Sequence, residues 1–222
     1  GRRLNAKSAQ NEPTSISNHP DVRRMLLIQK AVVEGALAFI FQCYHYMDLL
    51  KVSETMEDKT KYDALLELLT PVAKTYGAEM GIVSVNQGLQ VLGGYGYTED
   101  FPLEQMARDV RIMSIYEGTT GIQSQALLGR QVTRNNGLAL KLWKEEVQKD
   151  VAEATNYELF APYCNALNKE LQRFEAVTNH LLVIAGQGNA EVFMADATLY
   201  MEFFGILNVA WQWLCMAKKK KK

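Results

Sequence analysis

The sequence predicts an all-α protein: an antiparallel helical bundle followed by a second, appended helical unit. Three observations predict this fold class. Apolar residues recur in steps of three and four along almost the whole chain, which is the period of a helix that buries one face. The sequence lacks short runs of alternating apolar and polar residues, which would indicate strands. The segments between the helical stretches are short, as in bundles of antiparallel neighbours.

The first helix is predicted to begin near residue 18 and to end near residue 51. Residues 1–17 are polar and should form a loop. Ser17 or Asn18 can cap the helix, which puts Pro20 and Asp21 in its first turn, where both residue types are favoured. The apolar face of this helix consists of Met25, Ile28, Val32, Gly35, Phe39, Cys43, Tyr46 and Leu50.

The second helical stretch opens at Ser53 and carries its apolar face as far as Leu92. Pro71 lies inside this stretch. Because proline has no N–H and removes a hydrogen bond from a helix interior, residues 70–71 are predicted to start a new helix or to kink a long one. The helical pattern then breaks at the glycine-rich residues 93–100.

Five further helical patterns follow. A short helix should begin at Pro102, and Thr119 can cap a helix that runs to about Val132. The turn signal at residues 135–137, Asn-Asn-Gly, is the best internal boundary. The three patterns beyond it cover residues 138–154, 157–185 and 189–217. The predicted organisation is therefore a loop (1–17), a helical domain (18–134), an appended helical domain (138–217) and a lysine tail (218–222).

The charge balance argues against a nucleic-acid partner. The formal net charge is −1, but the last five residues are all lysine, and without them 19 basic residues face 25 acidic ones. The body of the chain is therefore mildly acidic, whereas nucleic-acid binding needs clustered Lys and Arg. The lysine run is predicted to be a disordered or an added, non-native end.

The cysteines predict free thiols. Cys43, Cys164 and Cys215 are odd in number and widely spaced in apolar helical stretches, which favours buried thiols in a reducing compartment over a disulfide framework. No Cys or His pair has the spacing of metal ligands, so no metal site is predicted. The most apolar segment, residues 199–217, is interrupted by polar residues that a bilayer span would not tolerate. We expect no membrane span and a cytoplasmic location.

Residues 90–97, Gln-Val-Leu-Gly-Gly-Tyr-Gly-Tyr, place a glycine cluster directly after an amphipathic helix. Glycines allow positive φ and let a backbone approach the phosphates or ribose of a ligand closely. The simpler interpretation is a helix C-cap followed by a turn. Because no strand precedes the cluster, it is not the dinucleotide-binding fingerprint of a Rossmann fold.

Glu117 stands at a break between two helices, after two bulky residues and before Gly118. A carboxylate in this position can project from a corner of the chain. Glu117 alone is most simply a surface acid, and Arg108 with Asp109 is most simply an ion pair or a capping pair.

Taken together, three linked motifs resemble the acyl-CoA dehydrogenase family. They are Q-x-x-G-G-x-G-Y at residues 90–97, P-x-E followed by R-D at residues 102–109, and I-Y-E-G-T at residues 115–119. Their order and spacing match those of the family. The resemblance covers residues 18–132, which correspond to the C-terminal helical domain of the family, and the remainder is similar to the helical domain appended in some bacterial members.

The resemblance implies a catalytic role for Glu117. In the family this glutamate removes a proton from Cα of the acyl thioester while Cβ delivers a hydride to N5 of FAD. A carboxylate suits this task, because desolvation in an apolar pocket raises the pKa of a carboxyl group toward the working range. Tyr116 and Gly118 correspond to substrate-binding positions, and Gly118 would leave room for the thioester.

The resemblance also implies an FAD site and an oligomer. Thr119 and Gly121 would lie along the flavin, and only backbone contact is expected at Gly121, where the family often has a polar residue. Gln90, Gly93 and Gly94 correspond to residues that contact the FAD of a neighbouring subunit, so a homodimer or a homotetramer is expected. Pro20 stands where many members have a flavin-contacting Gln, so that contact is not carried over.

The predicted function is that of the C-terminal part of an acyl-CoA dehydrogenase that forms a 2-enoyl-CoA in fatty acid metabolism. The isolated fragment is expected to be inactive. Electron-transfer flavoprotein is one candidate electron acceptor. An acyl-CoA oxidase, which passes its electrons to oxygen, remains an alternative. A second alternative is a non-catalytic helical module for assembly or partner binding, which is the preferred interpretation for residues 138–217.

Overall fold

The computed structural model describes residues 14–219, and this part of the chain contains helices and no strand. The predicted all-α class is therefore confirmed. Of the predicted loop 1–17, residues 1–13 lie outside the described range, as do Lys220–Lys222 of the lysine tail. The α-helices are α1 (Pro20–Val52), α2 (Met56–Leu92), α3 (Leu103–Arg111), α4 (Thr120–Ala126), α5 (Leu138–Thr155), α6 (Ala161–Gly186), α7 (Ala190–Ala195) and α8 (Ala197–Lys219).

One long helix, α2, passes through the predicted break at residues 70–71, with Pro71 inside it. Of the two predicted alternatives, a new helix at this point is wrong, and one long helix with Pro71 inside it is what the structure shows. The three side chains that flank the proline are fully buried, namely Leu68, Leu69 and Val72. The free energy gained by burying such side chains is larger than the free energy lost with the single hydrogen bond that proline removes. The Thr70 hydroxyl donates a hydrogen bond to the Leu66 carbonyl oxygen at 2.6 Å.

The helix capped by Thr119 and the last predicted helix differ from expectation in detail. α4 ends at Ala126 and continues as a single π-helical segment, Leu127–Gln131. The predicted helix 189–217 is two helices, because Asp196 leaves the helical region of backbone conformation (φ −98°, ψ 12°). The break allows the side chains of Phe193 and Ala197 on either side of it to be buried.

The described residues form two compact units, and the division differs from the predicted one. One unit contains the chain up to Glu34 together with Ala78–Met113, and the other contains Gly35–Gly77 together with Ser114–Lys222. Residues 135–137 do form a turn, in which all three have positive φ. A single buried cluster contains residues from both sides of this turn.

The core of the larger unit is centred on Trp143 of α5. Its ring is 2% exposed and lies edge-on to Phe204 and Phe174, with ring centroids 4.6 and 5.9 Å away. The indole N–H donates a hydrogen bond to the side-chain oxygen of Asn208, which is fully buried, at 2.9 Å. The Asn208 amide in turn donates to the Phe204 carbonyl oxygen. The buried amide of Asn208 thus has hydrogen-bond partners inside an apolar core, as buried polar groups of stable proteins normally do.

Lys218 is a helical residue of this unit, so the expectation of disorder is wrong at this position. Lys218 is 8% exposed in the last turn of α8. Its ammonium group donates to the Asp150 carboxylate at 2.6 Å and to Glu153 at 3.0 Å. Burial raises the pKa of Asp150, but hydrogen bonds from Lys218, Trp211 and Cys215 outweigh burial and lower that pKa.

The three cysteines are free thiols, as predicted. Cys164 is buried, whereas Cys43 and Cys215 are partly buried. Burial raises the pKa of both Cys43 and Cys215 to about 12. Because the thiolate is the reactive form, neither of these two thiols should be a nucleophile near neutral pH.

The smaller unit is held together by close helix contacts at glycines. A Cβ atom at Gly88 of α2 would lie 3.2 Å from the Leu103 side chain, and one at Gly81 would lie 3.1 Å from Val110. Many apolar side chains of this unit are nevertheless exposed, among them Leu27, Val33, Tyr95 and Tyr97.

Helix α1 is long and apolar enough to cross a membrane by the criteria of length and composition alone. In the larger unit, however, its Phe39 and Tyr46 side chains are buried in the protein core.

Candidate functional site

The predicted catalytic residue, Glu117, lies in a tight turn immediately before α4. Its backbone adopts φ 54°, in the left-handed region, and Gly118 follows with φ 93°. The left-handed region is unfavourable for residues with a Cβ atom and rare outside glycine, asparagine and aspartate. Glu117 is also exposed. The turn therefore presents its carboxylate at the surface of the larger unit.

Three side chains fix this turn through the backbone. Gln123 donates a hydrogen bond from its amide nitrogen to the Glu117 carbonyl oxygen at 3.0 Å. Lys74, on α2, donates from its ammonium group to the Gly118 carbonyl oxygen at 2.6 Å. The Thr119 hydroxyl accepts a hydrogen bond from the Ile122 N–H at 3.3 Å, which makes Thr119 the predicted N-cap of α4. The conformation of Glu117 is thus held from both α2 and α4.

Gly118 is required by the turn itself. A Cβ atom at this position would lie 2.7 Å from the Gln123 amide nitrogen, closer than such contacts normally are, and would also need the left-handed conformation. At sequence level we expected Gly118 to leave room for a thioester. Within this unit the space next to it is instead occupied by the Gln123 side chain.

We predict that Gly118→Ala destabilises the 222-residue chain by about 1–2 kcal/mol, because φ 93° is unfavourable for alanine. Urea unfolding followed by circular dichroism measures this change. The matched control is Gly121→Ala in the first turn of α4, where a Cβ atom would have no neighbour within 4 Å and should stabilise the chain by about 0.5–1 kcal/mol. Equal effects of the two substitutions would contradict the account of the turn.

The surroundings of Glu117 in its own unit are apolar but open. Ile115, Tyr116 and Ile122 are all exposed large hydrophobic residues of the same segment. Tyr116, a predicted substrate-binding residue, directly precedes Glu117 in the sequence and is exposed like it. The described residues of this unit do not bury Glu117.

The predicted flavin-contacting residues of the glycine cluster belong to the smaller unit. Gln90 is exposed near the end of α2, and Gly93 ends that helix with φ 61°. Neither Gly93 nor Gly94 has an atom within 4 Å of the position of a Cβ atom. Gly96 differs, since its Cβ would lie 2.8 Å from the Leu89 carbonyl oxygen. Gly93 and Gly94 therefore offer open backbone to a flat ligand, whereas Gly96 has a packing role.

Two residues of this site were missed at sequence level. Gln123 lies within the recognised segment, but its amide could equally have pointed to solvent. Lys74 lies 44 residues before Gly118, and no local pattern indicates that they meet. Only the fold brings α2 to this turn.

Two family models together match nearly the whole chain. One, described as "Acyl-CoA dehydrogenase, C-terminal domain", matches residues 5–133. The other, described as "Acetyl-CoA dehydrogenase C-terminal like", matches residues 143–222. The interval between the two matches includes the turn at residues 135–137.

Similar proteins carry related names. A butyryl-CoA dehydrogenase of Syntrophomonas wolfei is 34% identical over 162 residues, covering 73% of this chain and 26% of that protein. A 3-methylmercaptopropionyl-CoA dehydrogenase of Ruegeria pomeroyi is 33% identical over 206 residues, covering 92% of this chain and 34% of that protein. This chain therefore spans about a quarter to a third of the length of these relatives.

Solved structures show the same fold. The structure of Caenorhabditis elegans ACDH-11 in complex with C11-CoA superimposes with a TM-score of 0.69 at 21% identity. The match covers 90% of this chain and 36% of that one. At this level of identity the similarity concerns the fold alone.

Proposed function

The chain belongs to the acyl-CoA dehydrogenase family, and from that premise we propose that it is the C-terminal helical part of a flavin-dependent enzyme. The complete enzyme would oxidise an acyl-CoA thioester to the 2-enoyl-CoA. The observation that carries the proposal is the turn at Glu117, which holds the backbone of this residue in a fixed conformation. The motif at residues 115–119 supports Glu117 as the base.

In this proposal Glu117 accepts the α-proton of the thioester. The turn presents its carboxylate at the surface of its unit, next to the exposed apolar side chains of Ile115 and Ile122. When the rest of the enzyme covers this surface, water would be excluded and the carboxylate would become a stronger base. Tyr116 and Gly118 would contact the substrate on either side. A bound flavin would supply the acceptor for the hydride that leaves Cβ.

The glycine and threonine positions fit a flavin. Gly93, Gly94 and Gly121 are exposed and have no atom within 4 Å of a Cβ position, so a ring system could lie directly against their backbone. Gln90 is exposed and has an amide available for hydrogen bonds. The Thr119 hydroxyl accepts from the backbone of α4, which leaves its own proton free to be donated. We propose that Thr119 and Gly121 contact one FAD, and that Gln90, Gly93 and Gly94 contact the FAD of a neighbouring subunit.

The exposed apolar residues of the smaller unit, such as Leu27 and Tyr97, support a homo-oligomer, because large exposed apolar surfaces mark interfaces. A homodimer or a homotetramer would bring the glycine cluster of one subunit to the flavin of another. We propose a cytoplasmic location and electron-transfer flavoprotein as the acceptor. Hydrogen peroxide formation in air by the complete protein would instead identify an acyl-CoA oxidase.

The C-terminal helices have a structural role in this proposal. α8 packs against α4 and against the π-helical segment that follows it. A Cβ atom at Gly129 in that segment would overlap the Met194 side chain of α7. Residues 138–219 thus support the helix that begins directly after the catalytic turn. This favours a scaffold over an independent partner-binding module.

We predict that the 222-residue chain purifies without flavin, whereas the complete protein purifies with it. The reason is that the turn at Glu117 is open to solvent in its unit and the exposed glycines provide only one face for a ring. Absorbance at visible wavelengths after gel filtration with added FAD measures retention. A yellow 222-residue chain with stoichiometric FAD would show that these helices alone form the site.

A further inference from the structure

We infer that Lys74 and Gln123 are positioning residues, which hold the Glu117 carboxylate in its reactive orientation by binding the backbone on either side of Gly118. The inference rests on the function proposed above. It assigns roles to two residues outside the Y-E-G-T motif, one of which lies on a different helix.

The two hydrogen bonds act on two consecutive peptide groups. The Glu117 carbonyl, bound by the Gln123 amide at 3.0 Å, belongs to the peptide that directly follows the Cα atom of Glu117. The Gly118 carbonyl, bound by the Lys74 ammonium group at 2.6 Å, belongs to the next peptide. The two bonds hold the peptide planes on either side of the Gly118 Cα atom, and the first also restrains rotation about the Cα–C bond of Glu117, from whose Cα the Cβ atom leaves the backbone.

The turn needs such support because of its conformation. Both Glu117 and Gly118 have positive φ, and a glutamate without additional contacts prefers other backbone regions. Side-chain donors that pair only with the left-handed turn shift the equilibrium toward it. A hydrogen bond from a charged donor, such as Lys74, contributes more than one from a neutral donor.

Both donors come from well-anchored segments. Lys74 lies on α2 between the buried residues Val72 and Thr75, so its Cα position is set by the core. Gln123 lies in the first turn of α4, and its amide fills the space that a Cβ atom at Gly118 would need. The glycine at position 118 leaves the space that the Gln123 amide occupies. A side chain at position 118 would therefore keep Gln123 from reaching the Glu117 carbonyl.

The test uses the complete flavin-containing enzyme. Lys74→Met and Gln123→Met keep the side-chain length but remove the donor. Each should lower kcat by roughly 10–100-fold, because small misplacements of a reacting group are that costly. The KM for the acyl-CoA and the flavin content should not change. Lys74→Arg retains a donor and should restore most of the lost kcat. The matched control is Lys61→Met on the same helix, which breaks a 2.6 Å ion pair with Glu146 and should leave kcat unchanged.

Double variants separate this inference from the proposed function. If Lys74 acts through Glu117, Lys74→Met should cause no further loss in a Glu117→Gln enzyme. If Glu117→Gln abolishes turnover while both methionine variants keep the wild-type kcat, the positioning role is overturned and the proposed function stands. A fully active Glu117→Gln enzyme overturns both. The positioning role is also overturned if Lys74→Met lowers kcat and Lys74→Arg does not restore it. The same holds if the fall in kcat of Lys74→Met is equal to its loss of bound flavin.

Discussion

Replacing Trp143 by alanine is expected to destabilise the 222-residue chain by about 4–8 kcal/mol. Truncating a buried aromatic side chain typically costs 3–5 kcal/mol. The substitution also leaves the fully buried Asn208 side-chain oxygen without its donor, which adds about 1–3 kcal/mol. A change of this size is comparable to the total stability of many domains. Urea unfolding followed by far-UV circular dichroism measures it.

Two comparison variants separate the terms of this loss. Trp143→Phe keeps an aromatic ring against Phe204 but removes the N–H donor, so its cost should be nearer 1–3 kcal/mol. Tyr163→Ala removes an exposed aromatic side chain of α6 and should change stability by less than about 0.5 kcal/mol. A Trp143→Ala chain that unfolds at the wild-type urea concentration would contradict a core centred on this residue.

In the complete enzyme, Glu117→Gln is expected to abolish turnover while leaving the flavin bound. Glutamine has almost the same shape and leaves the backbone carbonyl that Gln123 binds, so the turn should persist. It cannot accept a proton from Cα. A positioned general base contributes about 10²–10⁴-fold, so turnover with acyl-CoA should fall by at least that factor. Steady-state assays with an artificial electron acceptor measure the loss.

The competing interpretation is that Glu117 is an ordinary surface acid, and its exposure in this unit agrees with that interpretation. On this view the glutamine variant would lose little activity. Glu145→Gln provides the control, since Glu145 is another exposed acid, paired with Lys141 one turn away on α5. Both variants should bind flavin equally, and only Glu117→Gln should lose activity. Equal activities would favour the surface-acid interpretation.

The helices of this chain are predictable from the sequence because most of their limits depend on local signals. Thr119 caps α4 and Gly93 ends α2, as the residue types indicate. At Pro71 the sequence left a new helix and one long helix as alternatives, and the burial of the neighbouring side chains in the core favours the long helix. Phe39 of α1 and Leu69 of α2 belong to the same buried cluster as Trp143 of α5, and packing between residues so far apart in the chain leaves no trace in local periodicity.

The candidate site is predictable only in part. Glu117 was identified from a contiguous motif, and the positive φ of Gly118 follows from the glycine in that motif. The contact between Lys74 and the Gly118 carbonyl depends on tertiary structure, and a lone lysine in a helix carries no signal for it. Lys218 likewise looked like part of a featureless run, although Asp150 and Glu153 of α5 pair with it.

The most direct test of the central assignment is the reduction of the bound flavin by an acyl-CoA in the absence of oxygen, followed in a stopped-flow spectrometer. This measurement isolates proton abstraction and hydride transfer from reoxidation, so the electron acceptor does not affect it. The complete wild-type enzyme should lose its visible flavin absorbance within one turnover, and the Glu117→Gln enzyme should keep it for at least 100 times longer. Bleaching of the Glu117→Gln enzyme at the wild-type rate would show that the base lies elsewhere.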